Sequence, residues 1–513
     1  MDYRIKTGQH LVSGFEGHSL TEEIKQAVKT HKIGNIILFE RNVSTKEQLK
    51  ELCKDIKELV QNETGYEPFI FIDQEGGIVS RLHDDCTIVP SAMGISASGK
   101  KENAYTAGFI TGTELNAMGV NFNLAPVLDI NSNPDNPVIG VRSYGDDAKT
   151  VAAFGCEMAR GLLDAGVFCC AKHFPGHGDT NVDSHLGLPK IEKSLDELRE
   201  FELIPFIAAS EMNIPAIMSS HILFPKIDKN GLPATMSYTI MTELLRNEIG
   251  FKGLTLSDCM QMQAISEHFG TVAGMLEALK AGVDVIFASH SAALNMQASD
   301  LFIKAIKEGD ISLAQFEEST ERILSCKQKL SSLPRRTMNE VGSEEHSRAN
   351  EGLYRDSICL LGELPDLGDN PCFISCKAFA TTLASDPEKG DNYFAKDMQE
   401  RFGRGDSVFI SSDPDDEEIK STVGKAKNHS CIVLGTYNSH VYSGQEKLLK
   451  ALCGLNLPVI AVALRNPYDI LNLPENAAGV AAYAYNKHSA NAVADALLKK
   501  YKPLGKIPIR RNI

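Results

Sequence analysis

The chain has 513 residues, 43% of them hydrophobic, enough for a large buried core and too many for one ordinary domain. A net charge of −15 argues against a nucleic-acid partner, which demands a basic surface. Twelve cysteines lie scattered without a C-x-x-C pair or zinc spacing, and the opening residues carry no charged-then-apolar leader. The expectations are reduced thiols, no cofactor, no metal, no membrane partner and a cytoplasmic location.

In chain order, the first two thirds repeat one phrase. An amphipathic stretch ends near a Gly, and an apolar, β-rich run follows at once. Strand candidates are HLVSGFEG (10–17), HKIGNIILF (31–39), PFIFIDQEGG (68–77), AMGVNFNLAPVLDI (117–130), DAGVFCCAKHF (164–174), IPAIMSSH (214–221), GLTLSDCM (253–260) and KAGVDVIFASH (280–290). Helical periodicity separates them, as in TKEQLKELCKDIKELV and SLDELREFELIPFIAAS. Continuous rather than alternating apolar strands indicate a parallel sheet covered on both faces. Eight such βα units predict a TIM-type (β/α)8 barrel spanning residues 1–333.

The strand candidates end on ionisable residues: Asp73, Asp129, Lys172 with His173, His221, Asp258 and His290. In a barrel all these ends open onto one face, so an acidic, imidazole-rich pocket is expected there. Residues 334–350 are polar and read as a linker, with a helix resuming near Glu344. Beyond it, short apolar runs such as SCIVLGTY and PVIAVAL alternate with helical patterns, which predicts a smaller αβα sandwich domain over 351–513. It carries neither a dinucleotide fingerprint nor a P-loop.

The stretch KHFPGHGDTNVDSH, residues 172–185, concentrates the chemistry. One reading is a hydrogen-bonded structural network. A second is a metal site on His173, His177, Asp179, Asp183 and His185, although the spacing fits no helical H-x-x-x-H arrangement. A third is acid catalysis, in which the Asp183 carboxylate fixes one nitrogen of His185 and leaves the other for a leaving group. The third reading needs a nucleophile elsewhere. Asp258, just past an apolar strand, fits that role, with helix capping as its alternative explanation. Asp73, Arg81, Arg142, Lys172 and His173 would supply a polar shell for a ligand with many hydroxyls.

Together, K-H-F-P-G-H-G-D-T-x-x-D-S-H, DQEGG followed by Arg81, IGVRSYG around Arg142 and LSD at 256–258 resemble glycoside hydrolase family 3, in particular its bacterial β-N-acetylglucosaminidase branch of NagZ type. The resemblance covers roughly residues 8–330. It implies retaining exo-hydrolysis of terminal β-linked N-acetylglucosamine from short amino-sugar glycans such as muropeptides. Asp258 matches the nucleophile, and Asp183 with His185 match the acid/base dyad. Asp73, Arg81, Arg142, Lys172, His173 and His221 match sugar-binding positions. Ile78 and Cys259 depart from the usual residues at their places. A phosphorylase on the same scaffold, a β-glucosidase-like hydrolase and an inactive amino-sugar sensor are the alternatives. With no Trp in the chain, sugar stacking is expected to fall to Tyr144, Phe174 or another smaller ring.

Overall fold

The computed structural model describes residues 2–180, 187–377 and 394–510. The eight expected strands form: β1 (Leu11–Ser13), β2 (Asn35–Leu38), β3 (Phe69–Ile72), β4 (Phe122–Asn123), β5 (Phe168–Phe174), β6 (Ala216–Ser219), β7 (Leu254–Cys259) and β8 (Val285–Ala288). They pair in sequence order, all parallel, and β8 closes onto β1. The barrel is therefore closed, with helices outside. Its interior is filled by Phe69, Phe71, Phe122, Phe168 and Phe287 together with smaller residues, a packed plug rather than a pore.

The glycine punctuation works as the sequence suggests at Gly119, Gly166 and Gly282, which cap helices at φ of 94°, 93° and 100°. Before β2 it works differently. Lys32 takes the left-handed cap at φ 55°, and Gly34 is needed for closeness instead, since a Cβ there would meet the Gln9 amide at 2.9 Å. The helix expected over SLDELREFELIPFIAAS is split into Leu195–Glu200 and Leu203–Glu211. Pro205 explains the break, because its ring would collide with the carbonyl four residues back, at Phe201.

The second sheet is built from β9 (Cys359–Leu361), β10 (Pro371–Cys376), β11 (Asp406–Ile410), β12 (Cys431–Thr436), β13 (Val459–Ala463) and β14 (Ala477–Ala481). Its order is β11-β10-β12-β13-β14-β9, parallel except for β9. The polar stretch before it is a strap on the barrel rather than a loose tether. Arg336 N–H donates to Asn116 Oδ1 (2.9 Å), and Gly342 N–H donates to Glu114 Oε1 (3.0 Å). The helix Glu344–Ser357 then joins the two hydrophobic clusters, with Leu353 in one and Tyr354 in the other. None of the described helices is long and apolar enough to cross a membrane.

Below the barrel, Lys327 is buried, its ammonium donating to Gln9 Oε1 (2.6 Å) and Gly34 O (3.0 Å). Burial lowers its pKa to about 7. Between that value and the ordinary lysine range of about 10.4, the unfolded chain holds a proton that the folded chain has released, so stability rises with pH there. Thermal unfolding followed from pH 7 to 10 should show this rise, and the same scan of Lys327→Met should be flatter by several degrees.

Candidate active site

The carboxyl ends of the barrel strands surround a cavity of about 570 Å³. Among its lining residues are Asp73 and Glu75 after β3, Arg81 and Arg142 on loops, Lys172 and His173 on β5, and Asp258 on β7. The expected convergence on one face is thus realised for these groups. Asp183 and His185 lie outside the described residues.

The motif DQEGG explains how β3 delivers its carboxylates. After Asp73 the chain folds into a tight return, with Gly76 at φ 95° and its N–H donating to Val79 O (3.1 Å). A side chain at Gly76 would press on Pro90 O at 2.8 Å. Gln74 fastens the return: its Oε1 accepts the Arg81 N–H (2.8 Å), and its backbone exchanges hydrogen bonds with the Asn123 amide (3.0 and 2.8 Å). Arg81 is thereby folded back to 4.0 Å from Asp73.

At the floor, Lys172 bridges Asp73 and Glu75, 2.7 Å from each. Arg142 grips Glu75 with two bonds of 2.8 Å. Burial would raise the Glu75 pKa, but Arg142 and Lys172 overcome it and hold the carboxyl far below its usual range. Burial works against the Lys172 charge as well, and Asp73 with Glu75 reverse that, raising its pKa. The floor is a fixed lattice of charges able to grip several hydroxyl groups at once.

His173 is aimed by Asp129, whose Oδ2 sits 2.6 Å from its Nδ1. The other oxygen of Asp129 accepts the backbone N–H groups of His173 (3.1 Å) and His177 (2.7 Å). Asp129 is fully buried behind the wall, so this strand-end residue orients a neighbour. His177 is buried, its Nδ1 3.0 Å from Thr180 Oγ1, and burial lowers its pKa to about 4. It is a neutral part of the wall at ordinary pH. Asp179 pairs with Lys193 at 2.7 Å. Among the described residues, no group of His, Cys, Asp and Glu is arranged to hold a metal ion.

Two expectations need revision. His221 is not among the described lining residues: its ring nitrogens meet Thr235 Oγ1 (2.9 Å) and Cys259 O (3.0 Å), so it braces the end of β7 beside Asp258. Tyr144 and Phe174 are buried, packed against Phe154 and Phe206, and offer no platform to a sugar. The aromatic side of the cavity is formed instead by Phe39, stacked on His290 at 5.0 Å, with the Arg41 guanidinium 4.4 Å from the centre of the Phe39 ring. Glu75, the anion that both buried cations share, was the residue missed by sequence reasoning. Its signal was its place inside DQEGG, two residues after Asp73.

Replacing Glu75 with Gln strands two buried cations. A stability loss on the order of 3 kcal/mol is expected near neutral pH in denaturant unfolding. Because the carboxyl's folded pKa is depressed, its contribution is present above the unfolded value of about 4.3 and lost as pH falls. The difference between wild type and variant should therefore shrink as the titration goes below about pH 4.

Comparison with known proteins gives the family of the chain. The model for the glycosyl hydrolase family 3 N terminal domain matches residues 4–326. Beta-hexosaminidase A of Pseudoalteromonas piscicida is 38% identical over 283 residues, covering 52% of this chain and 47% of that enzyme. The chain thus matches about half the length of that relative. A family 3 beta-N-acetylglucosaminidase from Paenibacillus sp. str. FPU-7 superposes with a TM-score of 0.92 at 33% identity over 99% of both chains. NagZ from Neisseria gonorrhoeae, solved with N-trifluoroacetyl-D-glucosamine, superposes at 0.57 and 29% identity, covering 67% of this chain and 96% of its own. The chain belongs to glycosyl hydrolase family 3.

Proposed function

We propose that the protein is a retaining exo-β-N-acetylglucosaminidase acting on short amino-sugar glycans, muropeptide fragments among them. The observation that carries this reading is the placement of Asp258 in the same cavity as the Asp73–Lys172–Glu75–Arg142 lattice. The similarity to proteins named beta-hexosaminidase and beta-N-acetylglucosaminidase supports the choice of an acetamido sugar. A cavity of about 570 Å³ suits a short ligand rather than a long glycan.

In this mechanism His185, oriented by Asp183, gives its proton to the glycosidic oxygen while an Asp258 oxygen attacks the anomeric carbon. The bond to the leaving group breaks, and a glycosyl ester on Asp258 forms. Water then attacks the same carbon and passes a proton to His185, and Asp258 departs as carboxylate. Asp73, Lys172, Arg142, Arg81 and His173 grip the sugar through both steps. After the first step His185 is neutral, so an anionic acceptor is not repelled. Phosphate could then replace water, and product analysis distinguishes the two acceptors.

The deciding assay uses aryl β-glycosides that differ only at carbon 2, with no metal added. Preference for acetamido over hydroxyl supports the proposal, and the reverse preference would sink it. Free sugar rather than sugar 1-phosphate is expected when phosphate is supplied. Asp258→Asn should abolish turnover of every substrate, and His185→Ala should lose far more activity on a disaccharide than on a glycoside with a good leaving group. Acid catalysis of this kind contributes about 10²- to 10⁴-fold, which sets the expected gap.

A further inference from the structure

The strap formed by residues 129–146 joins three parts of the molecule. Its centre is Arg142, in the cavity. One flank holds the backbone that leads toward the dyad: the Asn136 amide donates to His177 O (2.9 Å), Gly178 O (3.1 Å) and Thr180 Oγ1 (3.2 Å). Asn136 Oδ1 meanwhile accepts the N–H groups of Val138 and Ile139 (both 2.9 Å), so one side chain locks both segments. Gly178 lies so close to the strap that a Cβ there would reach Ile130 O at 1.6 Å.

The other flank is pressed by the second domain. Tyr468 OH accepts from the Asn131 amide (2.8 Å). Asn466 crowds Gly140, which has φ 44° and no room for a side chain, a Cβ there falling 2.7 Å from Asn466 Oδ1. Val141, next to Arg142, is fully buried in a hydrophobic cluster that the second domain shares with Met93 and Ala97 of the barrel. Asp146 N–H donates to Pro508 O (3.2 Å), and Arg510 N–H donates to Asp146 Oδ2 (2.6 Å).

We propose that the second domain is a positioning element for catalysis: Asn466 and Tyr468 set the strap, and the strap sets both Arg142 and the stem of the segment that carries Asp183 and His185. None of the second domain's residues is among the described cavity lining, so its effect passes through the barrel loop. The proposal rests on the acid/base reading given above. Its consequence is specific, because a stem that drifts misplaces the proton donor, and that matters most when the leaving group needs the proton.

The test compares Tyr468→Phe and Asn466→Ala in the full-length protein on an N-acetylglucosaminyl disaccharide and on a dinitrophenyl N-acetylglucosaminide. Each variant should lose about tenfold in kcat/KM on the disaccharide, a fraction of the full acid contribution, and less than about threefold on the activated substrate. Melting temperatures should stay near that of wild type for Tyr468→Phe, which removes one oxygen. Equal losses on both substrates would assign the effect to Arg142 alone and overturn the link to the proton donor, and no loss on either would overturn the positioning role. Wild type is assayed first: lack of acetamido activity there would instead refute the parent reading. Should Asn466→Ala fold poorly, Tyr468→Phe alone decides, and Gly140→Ala probes the same contact from the barrel side.

Discussion

Everything in the cavity depends on Glu75 being ionised between two buried cations. A carboxylate, an ammonium and a guanidinium removed from water each incur a large desolvation cost, which only mutual contact offsets. Here the contacts are a bidentate pair and a shared ammonium, all within 2.8 Å. Such a lattice contributes little to net stability. It fixes the positions of Asp73, Lys172 and Arg142 before any substrate arrives, and fixed polar groups need no reorganisation when charge develops on a reacting sugar.

The barrel is what makes that lattice possible. Asp73, Lys172 and Arg142 come from chain positions far apart, and parallel strands in sequence order bring their ends to one rim. The phenylalanine plug beneath them closes the interior, so bound substrate meets the polar floor rather than a pore. Behind the wall, Asp129 and His221 do for His173 and the end of β7 what Glu75 does for the cations. Each is buried, and each holds a neighbour at a set angle.

Much of this was legible in sequence because it follows from local rules. The eight strands read directly from apolar runs, several of them following a helix-ending glycine, and their polar ends identified Asp73, Lys172, His173 and Asp258. Side-chain direction was not legible. His221 sits at a strand end like the others, yet its ring turns toward Thr235 and the Cys259 carbonyl, a choice made by tertiary contacts. Tyr144 and Phe174 read as rings near the site, and only packing reveals that they face the core. Glu75 was hidden for the opposite reason: its partners are 67 and 97 residues away, and no local pattern announces an ion triad.

The second domain was the least legible part, since its sequence holds no reactive motif. Its bearing on the site comes from contact alone. The gonococcal structure is matched over 96% of its length while leaving a third of this chain without a counterpart, so the shared barrel does not require every residue beyond it. A barrel loop that is self-supporting in one protein can become dependent on a neighbour in another. In this chain Val141 is buried in a cluster shared by Met93 and Ala97 of the barrel and the second domain, and Gly140 has no room for a side chain beside Asn466. A loop packed from both sides in that way couples the second domain to Arg142, one residue further along.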